Sequence, residues 1–142
     1  MKNCFKNGPI KPEFIAESIA HHQVKKNIGA HQIFLGQVRS DIINDQEVVA
    51  IDYSAHEEMA NRAFHEIREA TFKEFDLTCM HVYHSIGEVK AGEICLFVFV
   101  SSKHRKMVQK AIEYLVERIK EEVPVFGKEL LEDNTHVWKE NK

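Results

Sequence analysis

The chain has 142 residues, room for one domain with a proper core and too little for two comfortable ones. Apolar residues make up 44% and charged residues 29%, an ordinary balance for a globular protein. A net charge of −3 supplies no global basic field, which disfavours nucleic acid and anionic membrane as partners and leaves only local basic clusters for a small anion.

Three cysteines, Cys4, Cys79 and Cys95, form no CxxC pair and leave an odd count. Cys79 and Cys95 lie in apolar stretches, so buried reduced thiols are expected. No apolar run approaches the ~20 residues of a membrane span. The start, MKNCFKNGPIKPEF, lacks the apolar core of a signal peptide. The expectation is a reduced, cytoplasmic, single domain over residues 1–142.

Pro12 opens a short helical pattern with Phe14, Ile15, Ile19 and Ala20 on one face, and Gly29 is expected to end it. "GAHQIFLGQVR" then reads as a strand, with Ile33, Leu35 and Gln37 alternating against Phe34 and Val38. The polar SDIINDQ, residues 40–46, reads as a loop before a second strand, "EVVAIDYSA". A helix is predicted over 57–74 with Met59, Ala63, Phe64, Ile67, Ala70 and Thr71 inward. "LTCMHVYHSIGEV" and "EICLFVFV" form two strands joined through Lys90-Ala91-Gly92, with a bend or bulge at Gly87. A long helix follows over about 103–120, capped by Ser101 or Ser102 and closed by Pro124. The tail after it reads as irregular, anchored by Trp138. The order α-β-β-α-β-β-α predicts an α+β domain with a mostly antiparallel sheet.

The long helix raises a question. Met107, Val108, Ala111, Ile112, Leu115, Val116 and Ile119 fill one arc, and His104 and Arg105 fall inside that arc rather than opposite it. Snorkelling side chains and an anion site explain this about equally well. Arg39 ends an apolar strand, where it can reach a pocket mouth, and Lys120 sits at the edge of the arc in the helix's last turn. For Lys120 alone, favourable placement at a helix C-terminus is the simpler explanation. Arg105 and Lys120 lie fifteen residues apart, about 22 Å along a helix, so one small ligand cannot reach both within one chain.

Nine histidines invite a metal, but their spacing does not support one. His21 and His22 point about 100° apart on a helix, and His81 and His84 face opposite sides of a strand. There is no GxGxxG, GxxxxGK[ST] or GxSxG motif.

"GAHQIFLGQVR", "YSAHEEMA", "HSIGEV-x-x-GE", "VSSKHRKMVQKAIEYLVERIK" and "VPVFGKE", in this order, resemble the large catalytic subunit of molybdopterin synthase across nearly the whole chain. The resemblance implies an α/β hammerhead-type fold with an additional small β subdomain. It implies a homodimer at the core of a heterotetramer, with a ubiquitin-like small subunit at each end. The small subunit's C-terminal thiocarboxylate would deliver sulfur to cyclic pyranopterin monophosphate and make the dithiolene of molybdopterin. A pocket drawn from both large subunits would resolve the 22 Å separation. Carried over by motif, Gln37, Val38, Arg39, His104, Arg105, Lys120, Gly127, Lys128 and Glu129 bind substrate, and Lys120, Lys128 and Arg39 carry catalysis. No metal or cofactor is implied, since the sulfur arrives already activated.

The chain departs from the family pattern at four places. HRIG reads HSIG with Ser85, YEAY reads YSAH with Ser54 and His56, and Asp-Gly reads Asp133-Asn134. The second lysine, expected directly after an aromatic residue, is Gly127, and Lys128 follows one position later. Either Lys128 swings inward to replace it, or Lys120 alone carries the chemistry. The rival functions are a catalytically degenerate subunit that only docks the ubiquitin-like partner, and an unrelated anion-binding domain.

Overall fold

The computed structural model describes residues 2–140; Met1, Asn141 and Lys142, within the 1–142 span expected for one domain, lie outside the described residues. The elements are β1 (Phe5–Asn7), α1 (Pro12–His22), β2 (Ala30–Gln37), β3 (Ile42–Ile43), β4 (Gln46–Ala55), α2 (Glu57–Glu74), β5 (Cys79–Lys90), β6 (Ile94–Ser102), α3 (Arg105–Glu122), β7 (Val125–Leu131) and β8 (His136–Trp138). The path through the sheet is β2-β6-β5-β4-β7-β8, with β1 on β5 and β3 on β4. Every pair is antiparallel except β1 with β5.

β6 explains the layering. "ICLFVFVSS" is buried on both faces, because α1 covers one and α2 with α3 covers the other. Phe97 and Phe99 pack with Ile10 and Ile15 on the α1 side. Leu96, Val98 and Val100 pack with Phe64, Ile67, Val108 and Leu115 on the other. Each such side chain contributes roughly 1.5–3 kcal/mol by leaving water.

β5 changes partners along its length, and this sets up the second half of the sheet. Residues 79–84 pair with β6, and from Gly87 to Lys90 the strand pairs with β4 instead. Gly87 sits at the changeover with φ +87°, a left-handed conformation that suits glycine, so the expected bend is there. β4 then carries β7, and β7 carries β8.

Several expectations need correction. α1 stops at His22, seven residues before Gly29. Gly29 serves a close approach instead: a Cβ there would lie 2.0 Å from the Lys103 carbonyl oxygen. The loop over 40–46 contains β3, turned back onto β4 by Asn44 and Asp45, both at positive φ. In α2 Phe64, Ile67 and Thr71 are buried as expected, with Ala63 and Ala70 half-buried; Ala60 joins them, and Met59 is 54% exposed rather than inward. Ser101 and Ser102 belong to β6. Ser101 pairs with His31, and Ser102 donates to the Asp76 carbonyl at 2.8 Å, so α3 starts at Arg105 with His104 in the N-cap position and no side-chain cap bond. The tail is the β7–β8 hairpin rather than irregular chain, and Trp138 is 58% exposed rather than an anchor. Strand β1 was not foreseen. All three cysteines are free and buried, Cys4 included. No helix among the described residues is long and apolar enough to cross a membrane.

Candidate active site

The end of α3 and the start of β7 enclose a cavity of about 380 Å³. Ile119, Lys120 and Glu121 come from the last turn of α3, and Val123 to Gly127 close one wall. Tyr53, His84 and Leu96 form the floor from β4, β5 and β6, and Trp138 and Lys139 close the far side. The location follows from chain order: α3 must leave the sheet at Val123-Pro124 to enter β7, and Pro124 cannot continue a helix.

The floor is uncharged by construction. His84 is 7% exposed, and burial pushes its pKa down to about 4; its bond to Ser85 opposes this and Lys120 adds to it. Nδ1 lies 2.8 Å from the Ser85 carbonyl oxygen, which can only accept, so Nδ1 carries the proton and Nε2 is left as an acceptor. Tyr53 packs edge-on against this ring at 5.1 Å. Its phenol is pushed well above the usual range by burial, with Cys95 and Glu129 acting the same way. Tyr53 therefore stays a neutral hydroxyl.

Lys120 stands over this neutral floor, and Glu121 and Lys139 also line the cavity. Lys120 keeps some solvent-exposed surface. Burial nevertheless lowers its pKa, Cys95 opposes the shift, and the positive charge of Lys139 lowers it further. A lysine depressed in this way holds its proton less firmly and can release it more readily.

The other expected residues fall at separate places. Arg39 lies in a neighbouring hollow of about 570 Å³ with Asp41, Glu129, Trp138 and Lys139, its guanidinium 3.2 Å from the Asp41 carboxylate. Trp138 and Lys139 line both hollows and so join them. Gln37 is exposed at the end of β2, opposite Ile94, whereas Val38 is 2% exposed and belongs to the core. His104 and Arg105 are exposed at the opposite end of α3 from Lys120. Lys128 does not line the Lys120 cavity; its ammonium lies 5.4 Å from the centre of the Trp138 ring. Gly127 does line it, with no side chain to offer.

Sequence reasoning missed His84, Tyr53 and Lys139. His84 was weighed only as a metal ligand, and it touches the cavity because β5 turns from β6 toward β4 just beyond it. His81 instead meets His22, Nε2 to Nε2 at 2.8 Å. The described residues contain no group of three or more histidine, cysteine or acidic side chains placed to hold a metal.

Comparison with known proteins gives a consistent result. Residues 6–122 match the family model described as MoaE protein. The molybdopterin synthase catalytic subunit of Bacillus subtilis is 34% identical over 88% of this chain and 76% of its own length. That of Emericella nidulans is 31% identical over 85% of this chain, and the chain spans only 62% of that relative. Among solved structures, molybdopterin synthase from Staphylococcus aureus superposes with a TM-score of 0.85 and 30% identity, covering 99% of this chain and 98% of the other.

Proposed function

This chain belongs to the MoaE family, and we infer that it works as the catalytic subunit of a molybdopterin synthase, moving sulfur from a thiocarboxylated ubiquitin-like small subunit to cyclic pyranopterin monophosphate. The observation that carries the reading is Lys120. The family pattern puts a catalytic lysine at the end of this helix, and here that lysine lines a cavity and has lowered basicity.

In this reading the small subunit's C-terminal tail enters between Phe126 and Trp138, which are 56% and 58% exposed and flank the cavity. Lys120 neutralises the thiocarboxylate as its sulfur bonds to the pterin, and then the oxyanion that forms when water adds to the acyl carbon; collapse of that oxyanion breaks the acyl carbon–sulfur bond, leaving a thiolate on the pterin and a carboxylate on the small subunit. His84 Nε2, unprotonated beside it, can accept a proton. Arg39 meets phosphate from the adjoining hollow through charge-assisted hydrogen bonds. Glu129 lines that hollow, Gln37 and Val38 lie outside both hollows, and Lys128 joins from the rim through the Trp138 ring. His104 and Arg105 reach a substrate only if a second copy brings its α3 start beside this α3 end. We therefore propose a homodimeric core, flanked by two small subunits, in the cytoplasm, with residues 1–142 acting as one catalytic domain.

Gly127 favours a second reading, a docking subunit without turnover, because residue 127 lines the cavity and supplies no charge. One experiment separates the two. The chain is mixed with a thiocarboxylated small subunit and the cyclic pterin, and dithiolene product is measured. Product at catalytic turnover supports the enzyme, and tight binding without product supports the docking subunit.

A further inference from the structure

Lys139 was not singled out by sequence, and it lies beyond the span matched by the family model. It follows β8 directly, and its backbone N–H donates to the Gly127 carbonyl at 2.8 Å, extending the β7–β8 ladder by one step. Facing residues in an antiparallel pair point to the same side of the sheet. A Cβ built on Gly127 would accordingly sit 3.6 Å from the Lys139 Cβ. Lys128 is one step along β7 and faces the other side, where it meets Trp138.

Lys139 also lines both hollows, the one holding Lys120 and the one holding Arg39. Its charge is felt at Lys120. Lys120 and Lys139 line a cavity floored by a neutral tyrosine and a neutral histidine, with Glu121 as its one carboxylate, while Asp41, Glu129 and Glu140 line the other hollow beside Arg39; the excess of positive charge therefore lies on the Lys120 side, where an anion is favoured.

We propose that Lys139 is the second cationic residue of this site, reaching from the end of β8 beside Gly127, whose own Cβ would press on Ile51 and Tyr53, and binding the anionic group held between the two hollows. The proposal rests on the sulfur-transfer reading for the identity of that anion, which is either the pterin phosphate or the thiocarboxylate of the small subunit. Lys139 then does from β8 what a side chain at residue 127 would do from β7.

The test uses the full chain with its thiocarboxylated partner and the cyclic pterin, comparing wild type with Lys139→Gln, Lys139→Arg and the double variant Lys139→Gln/Gly127→Lys. Lys139→Gln is expected to lower kcat/KM at least about tenfold, Lys139→Arg to keep most activity, and Gly127→Lys to restore part of what Lys139→Gln removes. A KM increase for the pterin identifies phosphate as the anion, and one for the partner identifies the thiocarboxylate. Independently of turnover, the Lys120 ammonium followed by NMR in the free chain should titrate at higher pH in Lys139→Gln, because a neighbouring positive charge is gone. An inactive wild type would overturn the sulfur-transfer reading, and the Lys120 titration would still decide whether Lys139 acts on the site. An active wild type matched within twofold by Lys139→Gln, or an unmoved Lys120 titration, overturns the proposal.

Discussion

Acidification perturbs this site at one identifiable atom, because the fold holds His84 neutral through its buried position, against the opposing pull of its Nδ1–H bond to Ser85 and with the charge of Lys120 acting alongside burial. Its pKa is about 4 in the folded chain against the ordinary 6.5. Between those values the unfolded chain binds a proton that the folded chain refuses, so stability from this group is complete above 6.5 and is lost as pH falls toward 4. At about 1.4 kcal/mol per pH unit, acidification to pH 4.5 removes roughly 2.5 kcal/mol. His81 shifts in the same direction, also to about 4, but it is more open to water and contributes less. The assay is urea denaturation at several pH values between 7.5 and 4.5, for wild type and His84→Phe. Phenylalanine keeps the ring contacts to Tyr53 and Phe5 and cannot titrate. Protonation of carboxylates is common to both chains and cancels. The stability of wild type relative to His84→Phe should fall by roughly 2.5 kcal/mol from about pH 7.5 to 4.5. Parallel curves, differing by the same amount at every pH, would refute the assignment of a buried neutral histidine.

Three further outcomes are expected. Lys120→Ala and Arg39→Ala should each reduce sulfur transfer about thirtyfold or more while circular dichroism stays unchanged, and near-normal product from either variant removes that residue from the site. Lys128→Ala, which deletes a cation resting on an exposed indole, should raise KM for the small subunit by about two- to fivefold and leave kcat alone; a loss of kcat as large as that of Lys120→Ala would give Lys128 a catalytic role instead. Ser85 Oγ is buried with no hydrogen-bond partner among the described residues, so Ser85→Ala should gain about 1 kcal/mol and raise Tm by about 2–4 °C in thermal melts, whereas an equal fall would reveal a bound water or another partner.

The helices and the central strands were legible because their periodicity is long and unbroken. α2 runs over Glu57–Glu74, as its 3.6-residue repeat predicts, and "CLFVFV" is one apolar run because both its faces are covered. The short elements were not legible. β1 has three residues and β3 two, and neither carries enough alternation to distinguish a strand from a loop. Gly29 misled for a different reason. A glycine after a helical pattern reads as a stop, but this one is required by the Lys103 backbone beside it, a contact that only the folded chain contains. At the site, Lys120 was singled out through the family resemblance, since its place on the helical arc alone is more simply explained by a favourable helix C-terminus. His84 was not, because its exposure to the cavity depends on β5 changing partners at Gly87.

The same distinction decides how a charge can move within this site. Position along the chain suggests that a lysine missing at Gly127 is best replaced by its neighbour, Lys128. In a strand, however, a step of one residue turns the side chain to the opposite face, and the ammonium of Lys128 ends on the Trp138 ring. A step across the ladder keeps the face. Facing residues stand about 5 Å apart at Cβ, less than the reach of a lysine stem, so an ammonium carried on β8 can occupy nearly the same volume as one carried on β7. The Cβ of Lys139, 3.6 Å from the point where residue 127 would begin its side chain, meets that condition. A charge needed at a point in space is therefore more easily conserved between residues twelve apart in sequence and paired in the sheet, Gly127 and Lys139, than between adjacent ones.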